Sequence, residues 1–147
     1  MVKRIKINEL EPEAYNAMYG LEKYLNSTDL SRSLKELIKI RASQINGCAF
    51  CIDMHTKDAL ENGETARRIF AVSAWWESPL FDAKEKAALK MTEEITKIAD
   101  NGLTENTYNE AKENFSDNEI AQIIIAIGVI NVWNRIAVST HMVFTDF

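Results

Sequence analysis

Cys48 and Cys51 are the two cysteines of a 147-residue chain, and they stand three apart in the stretch INGCAFCIDMH. His55, one of two histidines, follows four residues after Cys51. Three chemistries use such a set: a structural disulfide, a zinc site, and a redox-active dithiol. If this stretch opens a helix, Cys51 and His55 share one face. Both cysteines then lie at the helix start, where free backbone N–H groups and the helix dipole favour a thiolate. Together with the C-x-x-C spacing, that setting lowers a cysteine pKa from about 8.5 to roughly 3.5–7.5. A thiolate attacks peroxides and disulfides. A histidine beside it can accept or return a proton.

Glu36 stands twelve residues before Cys48. If the preceding helix folds back about Asn46-Gly47, Glu36 approaches the cysteine helix, where it could orient His55 or pass a proton. The plainer reading is that Glu36 completes SLKE, a capping box starting at Ser33. A zinc site would take Cys48, Cys51 and His55, with Glu36 or His141 as the fourth ligand. Structural zinc usually wants four Cys or His ligands, and His141 is remote in sequence. No metal or other cofactor is therefore expected. Treating both cysteines as small buried hydrophobes leaves Glu36 and His55 without a role.

The elements that must position these residues are helical throughout. Pro12 suits the first turn of a helix reaching about Asn26. A second helix fits Ser31 to about Ile45, and Asn46-Gly47 breaks it. The cysteine helix should end near Asn62-Gly63. A further helix carries ARRIFAVSAWW and stops around Ser78-Pro79. DAKE at Asp82 has the capping-box pattern and opens a helix closing at Asn101-Gly102. LTENTYNEAKENF is a short amphipathic helix. SDNE at Ser116 caps a last long helix, apolar almost all round and so predicted to be the buried centre. The result is a single all-α domain over residues 1–147, a bundle of about six or seven helices. Trp75 and Trp76 cannot both face one interior. Phe50 and Met54 should line a pocket beside the cysteines. Asn131 and Asn134 need buried partners, and Arg135 a carboxylate, with Glu36 one candidate.

Composition narrows the function classes. Hydrophobic residues make up 46%, as in ordinary globular domains, so disorder is not expected. Seventeen basic against 22 acidic residues give a net charge of −5, which argues against nucleic-acid binding. The start of the chain, MVKRIKINELEPEAYN, has no apolar core of a signal peptide. The apolar stretch from Ile120 to Trp133 reads as too short and too polar to span a membrane. A cytoplasmic protein is expected, where structural disulfides are rare.

Glu36, Cys48, Cys51 and His55 fall in the pattern Glu-x11-Cys-x2-Cys-x3-His, which resembles the alkylhydroperoxidase D-like (AhpD-like) branch of the carboxymuconolactone decarboxylase family. The resemblance runs from about Leu34 through AVSAWWESPLFDAKEKAALKMTEEIT to AIGVINVWNRIAVST, roughly three-quarters of the chain. It implies an all-α fold and a thiol-dependent antioxidant activity. It also implies a Glu–His proton relay serving a cysteine pair that cycles between dithiol and disulfide, and a homo-oligomer, in first place a hexamer, otherwise a trimer or dimer. Phe50 departs from the adapter-type members, which carry a histidine there.

The reading is a peroxidase or disulfide reductase acting on a hydroperoxide or disulfide substrate and recharged by an unidentified dithiol reductant. Cys51 is the expected nucleophile because His55 shares its face, and Cys48 the resolving thiol; thioredoxin-like sites would reverse the order. The alternatives are thiol-free decarboxylase chemistry, a zinc protein, or an oligomeric scaffold.

Overall fold

The structure, a computed structural model, describes residues 2–144, and among them every regular element is helical. The first residue and the last three of the single-domain reading lie outside the described residues. The order is α1 (Ile7–Leu10), α2 (Pro12–Asn26), α3 (Arg32–Asn46), α4 (Ala49–Glu61), α5 (Ala66–Ala71), a 3-10 turn (Val72–Ala74), α6 (Ala83–Thr96), α7 (Ile98–Asn101), α8 (Glu105–Asn114) and α9 (Asp117–Thr140). The expected six or seven helices correspond to those longer than one turn; α1 and α7 are the additions.

Helix starts follow local chemistry. Asp82 and Ser116 each accept from the backbone N–H three residues on, while Glu85 and Glu119 reach back to complete the capping boxes. Pro12 occupies the first turn of α2. The cap of α3 is Ser31, whose hydroxyl accepts from the Leu34 N–H at 3.1 Å. The capping box expected from Ser33 does not form: the Ser33 hydroxyl donates to Glu64 at 3.0 Å. Glu36 is thereby left for other work.

Two expected helices are interrupted. The segment after α5 tightens into the 3-10 turn, which brings residues three apart into line. Val72 and Trp75 are such a pair, and both are buried. Trp75 donates to Glu93 at 2.8 Å, while Trp76 is 53% exposed, so the two tryptophans do part ways. The other break is at Lys97, whose ψ of 39° leaves the helical range and separates α7 from α6.

The centre is α3 rather than α9. It packs against α4, α6 and α9, and nine of its fifteen residues are buried. Leu34 and Ile38 join Met91, Ile123 and Ile127 in one apolar cluster. Leu37 and Ile40 face the other way, toward Val72, Trp75 and Leu89. Both sides of α3 therefore carry core, and its charged positions must point along the remaining strip.

α9 departs from its expected all-round burial. Ile123, Ile127 and Ile130 are inside, but Ile124, Val132 and Val138 are about two-fifths exposed along another face. As a 24-residue helix it is also long and apolar enough to cross a membrane by length and composition, which the shorter stretch read from sequence was not. Its packing accounts for the composition: Ile123 and Ile127 sit in the largest core cluster, against α3 and α6.

Candidate active site

Gly47 ends α3 and sets the site. Its φ of 65° is left-handed, a conformation that a Cβ would strain. The Gly47 N–H donates to Gln44 O at 3.3 Å and the Cys48 N–H to Ser43 O at 3.0 Å, which is the Schellman closure. The chain reverses within two residues, and Cys48 becomes the N-cap of α4, its sulfur accepting from the Cys51 N–H at 3.3 Å. The turn is held to α9 by a polar network. Asn46 donates to Asn131 and Asn134, both at 2.9 Å, and Asn134 donates to Ser43 at 3.0 Å. Asn131 and Asn134, which interrupt α9, are satisfied in this way. Among the described residues Arg135 takes no carboxylate; it donates to the backbone and side-chain oxygens of Asn131.

Cys48 and Cys51 are joined in a disulfide. It lies within the cap and first turn of one helix and ties no two elements together. Closing so short a loop also restricts the unfolded chain least. As a structural brace it therefore has little to do. Cys48 is 1% exposed and Cys51 2%, so Cys48 is not the more open of the two. Cys51, and not Cys48, contributes to the wall of the cavity described below.

The helical hairpin brings Glu36 to His55. The Nδ1 of His55 lies 2.9 Å from Glu36 Oε2, and both residues are more than nine-tenths buried. Lys39 Nζ stands 3.9 Å from the other Glu36 oxygen and 3.1 Å from Glu22 Oε2. Trp133 donates to Glu22 Oε1 at 3.0 Å. A chain of charge thus runs Trp133–Glu22–Lys39–Glu36–His55. Burial alone would push the Glu36 carboxyl up. The His55 hydrogen bond and charge, followed by the Lys39 and Arg32 charges, outweigh it and hold the carboxyl below its usual value.

These residues open onto a cavity of about 700 Å³ walled by α2, α3, α4 and α9. Phe50 and Met54 line it, as their positions suggested, and so do Cys51, His55, Glu36 and Trp133. Phe50 also stacks on Phe144, with ring centroids 6.3 Å apart. Tyr15 and Tyr19 face the same space.

For a metal, the expected ligands do not assemble. The two sulfurs are bonded to each other, and His141 is an exposed left-handed cap at the end of α9. The ligand atoms of Glu36, His55 and Asp58 do converge within 4.8 Å. Lys39 and His55 already serve Glu36 there, which makes the set a poor match for a divalent cation.

Sequence reasoning missed Glu22, Lys35, Lys39, Asp58 and Trp133. A signal existed on α3: charged residues at 32, 35, 36 and 39 repeat at helical spacing between two apolar faces, which marks a third face turned to something polar.

The sequence profile of the carboxymuconolactone decarboxylase family matches residues 12–94. The uncharacterized protein YdfG of Bacillus subtilis (strain 168) is 41% identical over 139 residues, covering 95% of both chains. A crystal structure of a protein of unknown function from Agrobacterium tumefaciens, suggested in its description to be the antioxidant defence protein AhpD, superimposes with a TM-score of 0.95 at 41% identity. That match covers 99% of this chain and all of the other. The debrominase Bmp8 shares the fold, with a TM-score of 0.83 at 19% identity over 93% of this chain and 74% of its own. With an all-helical bundle, a C-x-x-C pair at a helix start and these matches, the chain belongs to the carboxymuconolactone decarboxylase family and has the AhpD-like fold.

Proposed function

We propose that the protein is a thiol-dependent peroxidase or disulfide reductase that cycles Cys48 and Cys51 between dithiol and disulfide. One observation carries this reading: the disulfide sits on a cavity wall shared with a carboxylate-bound imidazole. In the reduced protein, the Cys51 thiolate attacks the terminal oxygen of a hydroperoxide. The S–O bond forms, the O–O bond breaks, and the alcohol leaves with a proton supplied by His55. Cys51 is left as a sulfenic acid. Cys48 attacks that sulfur, releasing water and forming the disulfide. An external dithiol restores both thiols by exchange, becoming a disulfide itself. Glu36 fixes the imidazole tautomer and orientation, as a carboxylate does in other triads. Phe50 supplies no proton, so peroxide turnover should be slow, and exchange with a dithiol partner the faster half of the cycle.

Thiol titration tests this directly. Fully reduced protein should lose two thiols per chain and consume one equivalent of hydroperoxide in a single turnover. Unchanged thiols after excess peroxide would overturn the reading. Alkylating both cysteines separates it from thiol-free family chemistry, which would survive. A reducing compartment such as the cytoplasm suits the cycle.

Self-association belongs to the same proposal. Phe70 is 77% and Trp76 53% exposed, and Ile124, Val132 and Val138 form a further apolar strip. Contiguous exposed apolar surface of this kind suits contact between copies. A homo-oligomer is expected, in first place a hexamer, and light scattering at micromolar concentration should return a multiple of the 16.7 kDa chain mass. A monomer mass would contradict it.

A further inference from the structure

The cavity that leads to Cys51 is lined unevenly. Tyr15, Tyr19 and Trp133 form an aromatic wall, with rings 5.1–5.8 Å apart. On α3, Arg32, Lys35 and Lys39 recur at i, i+3 and i+7, and all three line the space. Lys39 is taken up by Glu22 and Glu36. Among the described residues Lys35 makes no ion pair with a carboxylate. It is 6% exposed, and its Nζ donates at 2.8 Å to one acceptor, the carbonyl of Leu25.

An ammonium carries three donors, and the Leu25 carbonyl uses one of those of Lys35. Burial first, and then the neighbouring Lys39 charge, pull the Lys35 pKa below its usual value and outweigh the opposing Glu36 and Glu22 charges. Arg32, on the exposed first turn of α3, makes no ion pair among the described residues. Among the described residues that line the cavity, Asp58 is the one carboxylate without an ion pair, and it gathers with Glu36 and His55. Among the described residues, the cavity lining thus holds two cations and one carboxylate that make no ion pair.

We propose that the cavity binds an amphipathic organic carboxylate bearing a hydroperoxide, with its carboxylate on Arg32 and Lys35, its hydrocarbon against the aromatic wall, and its peroxide at Cys51. The reaction half of this statement rests on the peroxidase reading; the binding half does not. The spacing fits. Cys51 precedes His55 by four residues on α4, Glu36 follows Arg32 by four on α3, and Glu36 touches His55. Each four-residue step rises about 6 Å, so head group and reacting group lie about 12 Å apart, within reach of an acyl chain. The cavity volume, about 700 Å³, is in the range of small-molecule sites. The hydroperoxide is reduced to an alcohol and water while the two thiols become the disulfide, so no further oxidant is needed.

The test uses reduced protein and linoleic acid hydroperoxide against its methyl ester, both below their aggregation limits. Thiol loss followed by stopped flow should be at least tenfold faster with the acid, and Arg32→Gln should narrow that ratio below threefold. Lys35→Met should do the same; because Lys35 is buried and Arg32 exposed, Arg32→Gln decides the case if Lys35→Met fails to fold. Equal rates for acid and ester in the unmodified protein would overturn the proposal and leave the peroxidase reading standing. A second arm titrates the oxidised protein with linoleic acid and its methyl ester, reading tryptophan fluorescence. Tighter binding of the acid, weakened by Arg32→Gln, supports the site even if no hydroperoxide oxidises the thiols, in which case the peroxidase reading falls instead. Equal or undetectable binding of both ligands overturns the site.

Discussion

Reduced Cys51→Ser protein is expected to consume no hydroperoxide above background, a fall of about a thousandfold or more, the scale for removal of a nucleophile. Cys51 is the sulfur that reaches the cavity, and His55 follows it by one helical turn on α4. Cys48→Ser should behave differently. Attack still occurs, but nothing resolves the product, so a sulfenic acid accumulates on Cys51 and is trapped by a dione reagent as a mass shift on that residue. Serine can retain the cap, because its hydroxyl accepts hydrogen bonds as the Cys48 sulfur does from the Cys51 N–H. Stability should therefore change little in this variant. If the sulfenic acid appears on Cys48 in the Cys51→Ser protein, the order of attack is reversed. Full activity in both single variants would remove the dithiol cycle altogether.

The second large effect concerns Glu36. Glu36→Gln should move the pH midpoint of Cys51 alkylation upward, by about one unit, equivalent to about 1.4 kcal/mol, and His55→Ala should move it further. An unchanged profile in both variants would make the pair structural only. Stability follows a separate course. Glu36→Ala leaves buried His55 without its hydrogen-bond partner while Lys39 keeps Glu22 at 3.1 Å, at a cost of about 1–3 kcal/mol.

The pH dependence has a definite sign. The Glu36 carboxyl is held below its ordinary value of 4.5, so its stabilising contribution is complete above that value. It is lost as the pH falls through the ordinary value toward the lower value in the folded chain. Urea midpoints of wild type and Glu36→Gln should therefore differ most near neutrality and converge in acid. A gap that widened on acidification would show that another group governs the acid limb.

What the sequence disclosed followed from local rules. Pro12, Ser31, Asp82 and Ser116 mark helix starts because cap chemistry is written in the residues themselves. The approach of Glu36 to His55 was legible because both lie on consecutive helices joined by a two-residue turn. The walls of the cavity were not. Glu22 and Trp133 meet at 3.0 Å across 111 residues, and no local pattern encodes that contact. Burial on α9 was overestimated because apolar composition does not say which face a neighbour covers. The 3-10 turn at Val72 was missed for a related reason: a three-residue spacing of Val72 and Trp75 suits either helix type until the core claims both side chains.

The reversal at Gly47 places Glu36, Cys48, Cys51 and His55 within one twenty-residue hairpin. The walls that face them come from α2 and α9, at opposite ends of the chain. Reactivity is thus written in the hairpin, while selectivity is divided between Arg32 and Lys35 on α3 and the aromatic wall from α2 and α9. Substitutions in α2 or α9 can change which molecule enters without moving a sulfur, an imidazole or the carboxylate behind it. The hairpin, held by contacts close in sequence, is also cheap to close in entropy and can form before the distant walls arrive. A bundle arranged in this way can exchange one reactant for another in small steps, each leaving the dithiol intact.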